Sequence, residues 1–186
     1  MGINKNSKQD LEDFKSYIIA EKNFSKHTAK AYCSDILSFL VWMDDECCED
    51  VNFSKIRDYI HFIQKFNYKK TTVARKIASL RTFYKYLYRE RKIDSNPAMN
   101  LNNPKRPKSL PKFLTPDEVE QILNNTKIET PAGYRNRTIL ELLWATGMRI
   151  SELSGLNFGD LNLEHNEIRV FGKGSKERII LVTDRA

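Results

Sequence analysis

The sequence predicts a mainly α-helical protein, in which a four-helix bundle is followed by a smaller α+β unit with a short antiparallel sheet. Three observations indicate this fold class. Apolar residues recur at helical spacing in four successive segments, a proline-rich segment then interrupts the pattern, and beyond residue 160 the apolar spacing changes from helical to alternating. A chain of 186 residues with 40% hydrophobic content can form two small cores.

The bundle is predicted from four apolar stripes, each of which spaces most of its residues three or four apart. An amphipathic helix must bury such a stripe against a partner, so four of them with short connections form a compact bundle. We place this bundle in residues 1–95. The stripes are Leu11, Phe14, Ile18 and Ile19; Tyr32, Ile36, Phe39, Leu40 and Met43; Ile56, Tyr59, Ile60 and Ile63; and Val73, Ile77, Leu80, Tyr84 and Leu87.

A proline-interrupted segment, residues 96–112, follows the bundle. It contains four prolines and several basic residues, and prolines at this density exclude a helix. We therefore predict an extended interdomain linker.

The second domain, residues 113–186, begins with a helix-start signal. Thr115 and Glu118 form a capping-box pattern, with Pro116 at the first helical position. A second helix, from about Tyr134, ends at Gly147, the usual glycine of a helix C-terminus. Three alternating segments then predict a three-stranded antiparallel meander. Their apolar pairs are Leu161 and Leu163, Ile168 and Val170, and Ile179 and Leu181.

Positive charge is concentrated in the first part of the chain. Residues 1–111 hold 21 Lys and Arg against 13 Asp and Glu, a net charge of +8, whereas residues 112–186 hold 10 against 11, a net charge of −1, and the two sum to +7. Such an excess favours a polyanionic partner through counterion release. A merely solvated lysine-rich face is the alternative interpretation.

Cations and hydroxyls gather at two predicted helix starts, SKHTAK at residues 25–30 and KKTT at residues 69–72. Backbone N–H groups at a helix start bind phosphate, and neighbouring cations strengthen the binding. Both starts are therefore candidate nucleic-acid contacts. The predicted polar face of the fourth helix adds Arg75, Lys76, Arg81 and Lys85.

Two motifs in the second domain carry charges suited to a phosphodiester. In ATGMRISEL, residues 145–153, Glu152 follows Arg149 at i+3 and can orient its guanidinium, which then clamps an oxyanion. In GKGSKER, residues 172–178, Lys173 lies in a glycine turn between two strands and can protonate a leaving oxygen. Taken alone, GKGSKER is more typical of an ordinary exposed hairpin turn.

In their order and spacing these features resemble the tyrosine recombinase, or phage integrase, family, and most closely its Xer type. The resemblance also rests on the Tyr32, Asp35 and Phe39 pattern, on the run from Ala74 to Ala98, and on PKSLPKFLTPDEVEQIL at residues 107–123. It implies a four-helix SAM-like core-binding bundle followed by the first part of the α+β catalytic domain of the family.

The resemblance implies site-specific DNA recombination or integration through a covalent 3′-phosphotyrosyl intermediate, without cofactor or metal. Arg149 is then the first catalytic arginine, Glu152 its acidic support and Lys173 the hairpin lysine. The implied partner is double-stranded DNA at a specific site, on which full-length members act as tetramers on paired sites. The predicted DNA-binding residues are Lys26, Thr28, Lys30, Lys70, Thr72, Arg75, Arg81, Lys105, Arg106 and Lys108.

Other groups that the family implies have no counterpart in these residues, namely a His-x-x-Arg motif, a later His or Trp, and the tyrosine nucleophile. The last tyrosine is Tyr134, and none of the three histidines, His27, His61 and His165, is followed three residues later by arginine. We therefore expect the chain to bind DNA without cleaving it. Two alternatives stay open: a natural non-catalytic DNA-binding product, and a helical protein-interaction module.

The cysteines and the hydropathy pattern favour a cytoplasmic protein. The three cysteines are odd in number and lack metal-ligand spacing, which favours a reducing compartment over a disulfide framework. No apolar run approaches the ~20 residues of a membrane span, so we expect no membrane partner.

Overall fold

The computed structural model describes residues 2–102, 104, 113–172 and 176–182, and the chain divides into two compact units, Met1–Lys108 and Ser109–Ala186. The described part of the first unit contains helices α1 (Lys5–Ala20), α2 (Lys26–Met43), α3 (Phe53–Gln64) and α4 (Lys70–Arg89), with a 3₁₀ turn at Cys48–Asp50. That of the second contains α5 (Pro116–Asn125), α6 (Pro131–Thr146), the short α7 (Ile150–Leu153), a 3₁₀ turn at Phe158–Asp160, and strands β1 (Leu161–Asn162), β2 (Glu167–Phe171) and β3 (Glu177–Leu181). The predicted fold class, mainly α with a small antiparallel sheet, is confirmed.

Side-chain caps set where the first three bundle helices begin. Asn4, Ser25 and Asn52 each accept a hydrogen bond from a backbone N–H group in the first turn of α1, α2 and α3. Helix α4 differs, because its N-cap residue Lys69 makes no side-chain cap hydrogen bond. The first turn of α4 therefore keeps its positive end without a capping side chain, which suits an anion.

Aromatic rings from all four helices pack in the bundle core. Phe14 of α1 meets Phe83 of α4 edge to face, with ring centroids 5.3 Å apart, and Phe39 of α2 meets Tyr59 of α3 at 5.0 Å. Such pairs contribute about 1 kcal/mol each beyond the burial of their area. Ile19 is an exception to the predicted stripes: it is exposed, because adjacent helical residues point about 100° apart and the preceding residue takes the inward direction.

A buried polar cluster ties α1 to later parts of the bundle. Asp10 accepts a hydrogen bond from the Cys48 thiol at 3.1 Å and pairs with Lys92, which also reaches Asp13 at 3.2 Å. The Ser7 hydroxyl accepts from the Cys48 backbone N–H at 2.9 Å. Burial raises the pKa of the Cys48 thiol, so it stays protonated and can donate to Asp10.

The residues that follow α4 pack onto the bundle. Ala98 and Leu101 lie in its core, although the linker was predicted to begin at Asn96. The Asn96 side chain accepts from the Ala98 N–H at 2.9 Å, which fixes a turn there. Part of the predicted linker therefore belongs to the bundle. Of the remainder, Asn103 and residues 105–112 lie outside the described part of the chain.

The helix signals predicted for the second unit are present. Thr115 and Glu118 exchange both capping-box hydrogen bonds at the start of α5, and Gly147 ends α6 in the left-handed conformation with φ of 61°. Helix α6 begins at Pro131, earlier than predicted, because the Thr130 hydroxyl caps it by accepting from the Gly133 N–H at 3.1 Å. None of the described helices is both long and apolar enough to cross a membrane.

The sheet has the predicted strand order β1-β2-β3 with antiparallel pairing. Its register places Arg178 and Ile180 of β3, and not Ile179 and Leu181, on the inward face. On β2, buried Ile168 and Val170 lie opposite Ile180 and Arg178, and residues directly opposite share one face of a sheet. A one-residue difference in register exchanges the two faces of a strand. Ile179 (61%) and Leu181 (70%), the apolar pair that indicated this strand, are therefore exposed.

Candidate functional site

Arg149 stands at the junction between α6 and α7. Gly147 ends α6, buried Met148 anchors the connection, and Arg149 is the N-cap residue of α7. The Arg149 side chain is 72% exposed. Its guanidinium can therefore reach a ligand outside the fold.

Glu152 holds Arg149 at two points. Its Oε2 atom accepts a hydrogen bond from the Arg149 backbone N–H at 2.8 Å, and its Oε1 atom accepts from Arg149 Nη1 at 2.9 Å. The Glu152 side chain is only 4% exposed. The contact expected from the i+3 spacing is present, and it orients an exposed cation from a buried carboxylate.

Arg178 of β3, which was not among the predicted site residues, completes the cluster. Its Nη1 atom donates to Glu152 Oε1 at 3.0 Å and its Nη2 atom donates to Oε2 at 2.8 Å. The sequence contains one usable signal. Once Ile180 is assigned to the inward face of β3, the alternation of a strand places Arg178 on that same face. There its side chain, 41% exposed, can pair with a buried carboxylate such as Glu152.

Arg178 and Glu152 shift each other's pKa toward the charged forms. The hydrogen bond from Arg178, followed by that from the Arg149 backbone N–H, lowers the pKa of Glu152 to about 2. The same contact raises the pKa of Arg178. Glu152 is therefore fully ionised at neutral pH, and two guanidinium groups share one carboxylate, which leaves the cluster with an excess positive charge.

Lys173 lies outside the described residues, so the structure places only its neighbours. Gly172, which precedes it, donates its N–H to the Lys176 carbonyl at 2.7 Å, which closes the described end of the β2–β3 hairpin. A Cβ atom at Gly172 would lie 3.7 Å from Glu152 Oε1. The residue before Lys173 is thus beside the Glu152 carboxylate.

The predicted cationic face of α4 is only partly open to a ligand. Arg75 pairs with the buried carboxylate of Asp35 on α2 and donates to the Ala31 carbonyl at 3.2 Å, and Lys76 reaches the same carboxylate at 3.3 Å. Lys76, predicted to lie on the exposed face, is buried, and its ammonium also lies 5.8 Å from the Tyr68 ring centroid. Arg75 was predicted to be exposed, but an ion pair holds it in place.

The starts of α2 and α4 lie at the same end of the bundle. Contacts between these helices advance in the same direction, from Asp35 with Arg75 to Phe39 with Tyr84, so the two helices run parallel. The predicted groups at this end differ in exposure: Lys26, Lys30 and Lys70 are exposed, whereas Thr28 and Thr72 are partly buried, as is Arg81 farther along α4.

The remaining predicted contacts are the linker cations. Lys105, Arg106 and Lys108 lie outside the described residues. Within the described ranges, no group of three or more His, Cys, Asp or Glu side chains is arranged to hold a metal ion.

Profiles of known families match the chain in two consecutive parts. The profile described as "Phage integrase, N-terminal SAM-like domain" matches residues 11–91, and "Phage integrase family" matches residues 112–186. Among curated proteins, the chain is 37% identical over 180 residues to tyrosine recombinase XerC of Syntrophus aciditrophicus and 38% identical over 174 residues to tyrosine recombinase XerD of Listeria innocua. The chain belongs to the phage integrase family.

The bundle thus corresponds to the N-terminal SAM-like domain of this family, and the Glu152 cluster lies in the part matched by the main family profile. The alignments cover 91% of this chain in both cases, but only 58% of the XerC relative and 59% of the XerD relative. The chain therefore spans less than two thirds of the length of these two relatives.

Solved structures show the same fold. A lambda integrase tetramer bound to a Holliday junction matches 94% of this chain and 50% of its own, with a TM-score of 0.74 and 19% identity. The Tn1549 transposon integrase in complex with circular intermediate DNA matches 95% of this chain and 61% of its own, with a TM-score of 0.66 and 20% identity. At these identities the likeness concerns the fold alone.

Proposed function

We propose that this chain carries the DNA-binding domain and the first catalytic groups of a site-specific tyrosine recombinase. The observation that supports this most directly is the exposed Arg149 guanidinium oriented by buried Glu152. A cation fixed in this way binds the non-bridging oxygens of a phosphodiester and balances the charge that develops there. By analogy with other oxyanion donors, one such group contributes about 3 kcal/mol to the transition state.

In the proposed reaction a tyrosine oxygen attacks the scissile phosphorus, a phosphotyrosyl bond forms with the 3′-phosphate, and the bond to the 5′-oxygen breaks. Lys173 supplies the proton that the leaving 5′-oxygen needs. Because the phosphotyrosyl bond keeps the energy of the broken bond, religation requires no ATP. The reaction also needs a tyrosine nucleophile, and residues 1–186 contain none after Arg149.

Double-stranded DNA is the proposed partner of the first unit. The supporting observations are its net charge of +8 over residues 1–111 and the shared end of α2 and α4, where Lys26, Lys30 and Lys70 are exposed. We propose that the linker cations Lys105, Arg106 and Lys108 also bind the phosphate backbone of the duplex. The lambda integrase structure is described as a tetramer, and we propose assembly of the full-length form of this protein on paired sites as a tetramer also.

The proposed division is a DNA core-binding domain at residues 1–95, a linker at residues 96–112 and a partial catalytic domain at residues 113–186. The burial of Ala98 and Leu101 favours a linker that starts a few residues later. A cytoplasmic location is part of the same proposal, supported by three free thiols.

The test has a binding arm and a covalent arm. The 186-residue chain should bind a duplex with log K falling against log salt concentration by about 0.9 for each phosphate neutralised, and residues 113–186 alone should bind far more weakly. On a nicked suicide substrate the chain should form no covalent adduct. Equal binding by residues 113–186, or an adduct formed by the 186-residue chain, would contradict the proposal.

A second function, DNA binding without catalysis, is favoured by one observation: the last tyrosine, Tyr134, precedes Arg149. The coding sequence after residue 186 separates the two functions. A His-x-x-Arg motif followed by a tyrosine supports the recombinase, and an immediate stop codon supports the non-catalytic product. A DNA affinity that does not change with salt concentration would instead favour the protein-interaction module.

A further inference from the structure

Arg178 takes the larger share of the Glu152 carboxylate. It donates two side-chain hydrogen bonds, at 3.0 and 2.8 Å, whereas the Arg149 side chain donates one, at 2.9 Å. The Arg149 backbone N–H is the fourth donor, at 2.8 Å. A carboxylate has about four acceptor positions, so these donors fill it. Arg149 is therefore restricted to a single side-chain bond with Glu152.

This division decides what Arg149 can offer to a ligand. A guanidinium has five N–H donors in a planar fork and pairs most strongly with a carboxylate when it donates two parallel hydrogen bonds. If Arg178 were absent, Arg149 could turn that fork onto both oxygens, and the pair would be neutral. With Arg178 in place, the cluster keeps a positive charge and most Arg149 donors stay available at an exposed side chain.

Arg178 also connects the hairpin to the arginine motif. It lies opposite Val170 on β2, and a Cβ atom at Gly172 would be 3.4 Å from Arg178 Nη1, in van der Waals contact. The Arg178 guanidinium thus passes beside the described end of the hairpin on its way to Glu152 at α7.

We propose that Arg178 is a positioning residue, which occupies Glu152 so that the Arg149 guanidinium remains available to bind phosphate. The proposal deepens the proposed function and rests on Arg149 as a phosphate ligand. It assigns Arg178 no contact with DNA.

The experiment follows the Arg149 Nε–Hε signal by NMR while inorganic phosphate replaces chloride at constant ionic strength. Arg149→Ala identifies the signal. The 186-residue chain is compared with Arg178→Gln and with Arg169→Gln, a matched control. Arg169 lies on the opposite face of the sheet, 3.8 Å from Glu177, and its loss removes the same charge from the same unit.

We expect Arg178→Gln to raise the dissociation constant for phosphate at Arg149 by about fivefold or more, because Glu152 then competes with phosphate for the guanidinium N–H donors of Arg149. Arg169→Gln should change this dissociation constant less than about twofold. In the same variant, a carbon-detected titration of the Glu152 carboxylate should show a raised pKa. Unchanged phosphate binding in Arg178→Gln, or an equal loss in Arg169→Gln, overturns the proposal.

Arg178→Lys keeps the test decisive if Arg178→Gln does not fold. A lysine retains the charge but cannot bond both oxygens as a planar fork, so phosphate binding should weaken by an intermediate factor, and wild-type binding would overturn the proposal. A separate titration with duplex DNA tests the proposed function. If the chain does not bind DNA but Arg178→Gln still weakens phosphate binding, only the proposed function is refuted. If the chain binds DNA but Arg178→Gln leaves phosphate binding unchanged, only the positioning role is refuted.

Discussion

Arg178 and Glu152, separated by 26 positions in the chain, meet through two side-chain hydrogen bonds of 3.0 and 2.8 Å. Glu152 belongs to the ATGMRISEL motif and Arg178 to the GKGSKER motif. The buried carboxylate therefore joins the two motifs into one site, and Arg149 is held at its exposed edge.

The second unit should lose stability in acid through Glu152. Its pKa in the folded chain, about 2, lies below its ordinary value of 4.5, because Arg178 and the Arg149 backbone N–H bind the ionised form. A depressed pKa contributes stability that is complete above about pH 5 and lost as the pH falls toward about 2. The difference in free energy of unfolding between wild type and Glu152→Gln, from urea titrations, should therefore shrink on acidification. A constant difference would show that the carboxylate is not held in this way.

Arg81→Gln and Arg75→Gln should separate DNA binding from stability. Arg81 is a proposed DNA contact, so its loss should weaken DNA binding. Among the described residues it has no ion pair, so the same loss should change the free energy of unfolding by less than about 0.5 kcal/mol. Arg75→Gln leaves buried Asp35 with Lys76 alone and should also cost about 1–2 kcal/mol of stability. Fluorescence anisotropy with duplex DNA and urea titration measure the two effects. Equal stability of both variants would contradict the assigned role of the Asp35 pair.

Asp10→Asn should destabilise the bundle by about 2 kcal/mol, because it removes the buried negative charge that pairs with Lys92 and leaves one acceptor oxygen in place of the two that serve Lys92 and the Cys48 thiol. Asp13→Asn is the matched control. It removes a second carboxylate from the same lysine, but that carboxylate is at the surface, so its loss should cost less than about 0.5 kcal/mol. Thermal unfolding checks both variants, and a control as unstable as Asp10→Asn would count against the buried cluster.

Limited trypsin digestion should cut first within residues 105–112, after Lys105 or Lys108, because proline-interrupted basic segments offer trypsin sites without helical protection. Arg106 is followed by Pro107, and trypsin cleaves poorly before proline. Ala98 and Leu101 are packed in the core, so the amino-terminal fragment should extend past residue 101. Mass spectrometry of the early fragments gives the cut sites. First cuts within α4 would contradict the two-unit division, and protection of residues 105–112 in the absence of DNA would contradict an extended linker.

Local chemistry determined much of the fold. The apolar stripes, the Thr115 capping box and the left-handed Gly147 each depend on residues within one or two helical turns, and all are readable from spacing. The pairing of Arg149 with Glu152 belongs to the same class, because i+3 neighbours on a helix start are close by geometry alone. The sequence by itself therefore determined that helices α1 to α6 form, the order of the strands and the Arg149–Glu152 pair of the site.

Tertiary structure decided everything that depends on distant partners. The inward face of β3, and with it the approach of Arg178 to Glu152, follows from strand register, which a single apolar alternation in ERIIL does not fix. The pairing of Asp35 with Arg75, across 40 positions, and that of Asp10 with Lys92, across 82, arise only when helices pack. The physical reason is that a buried charge needs a partner. Sequence spacing predicts that partner only when both residues lie in the same helix or strand.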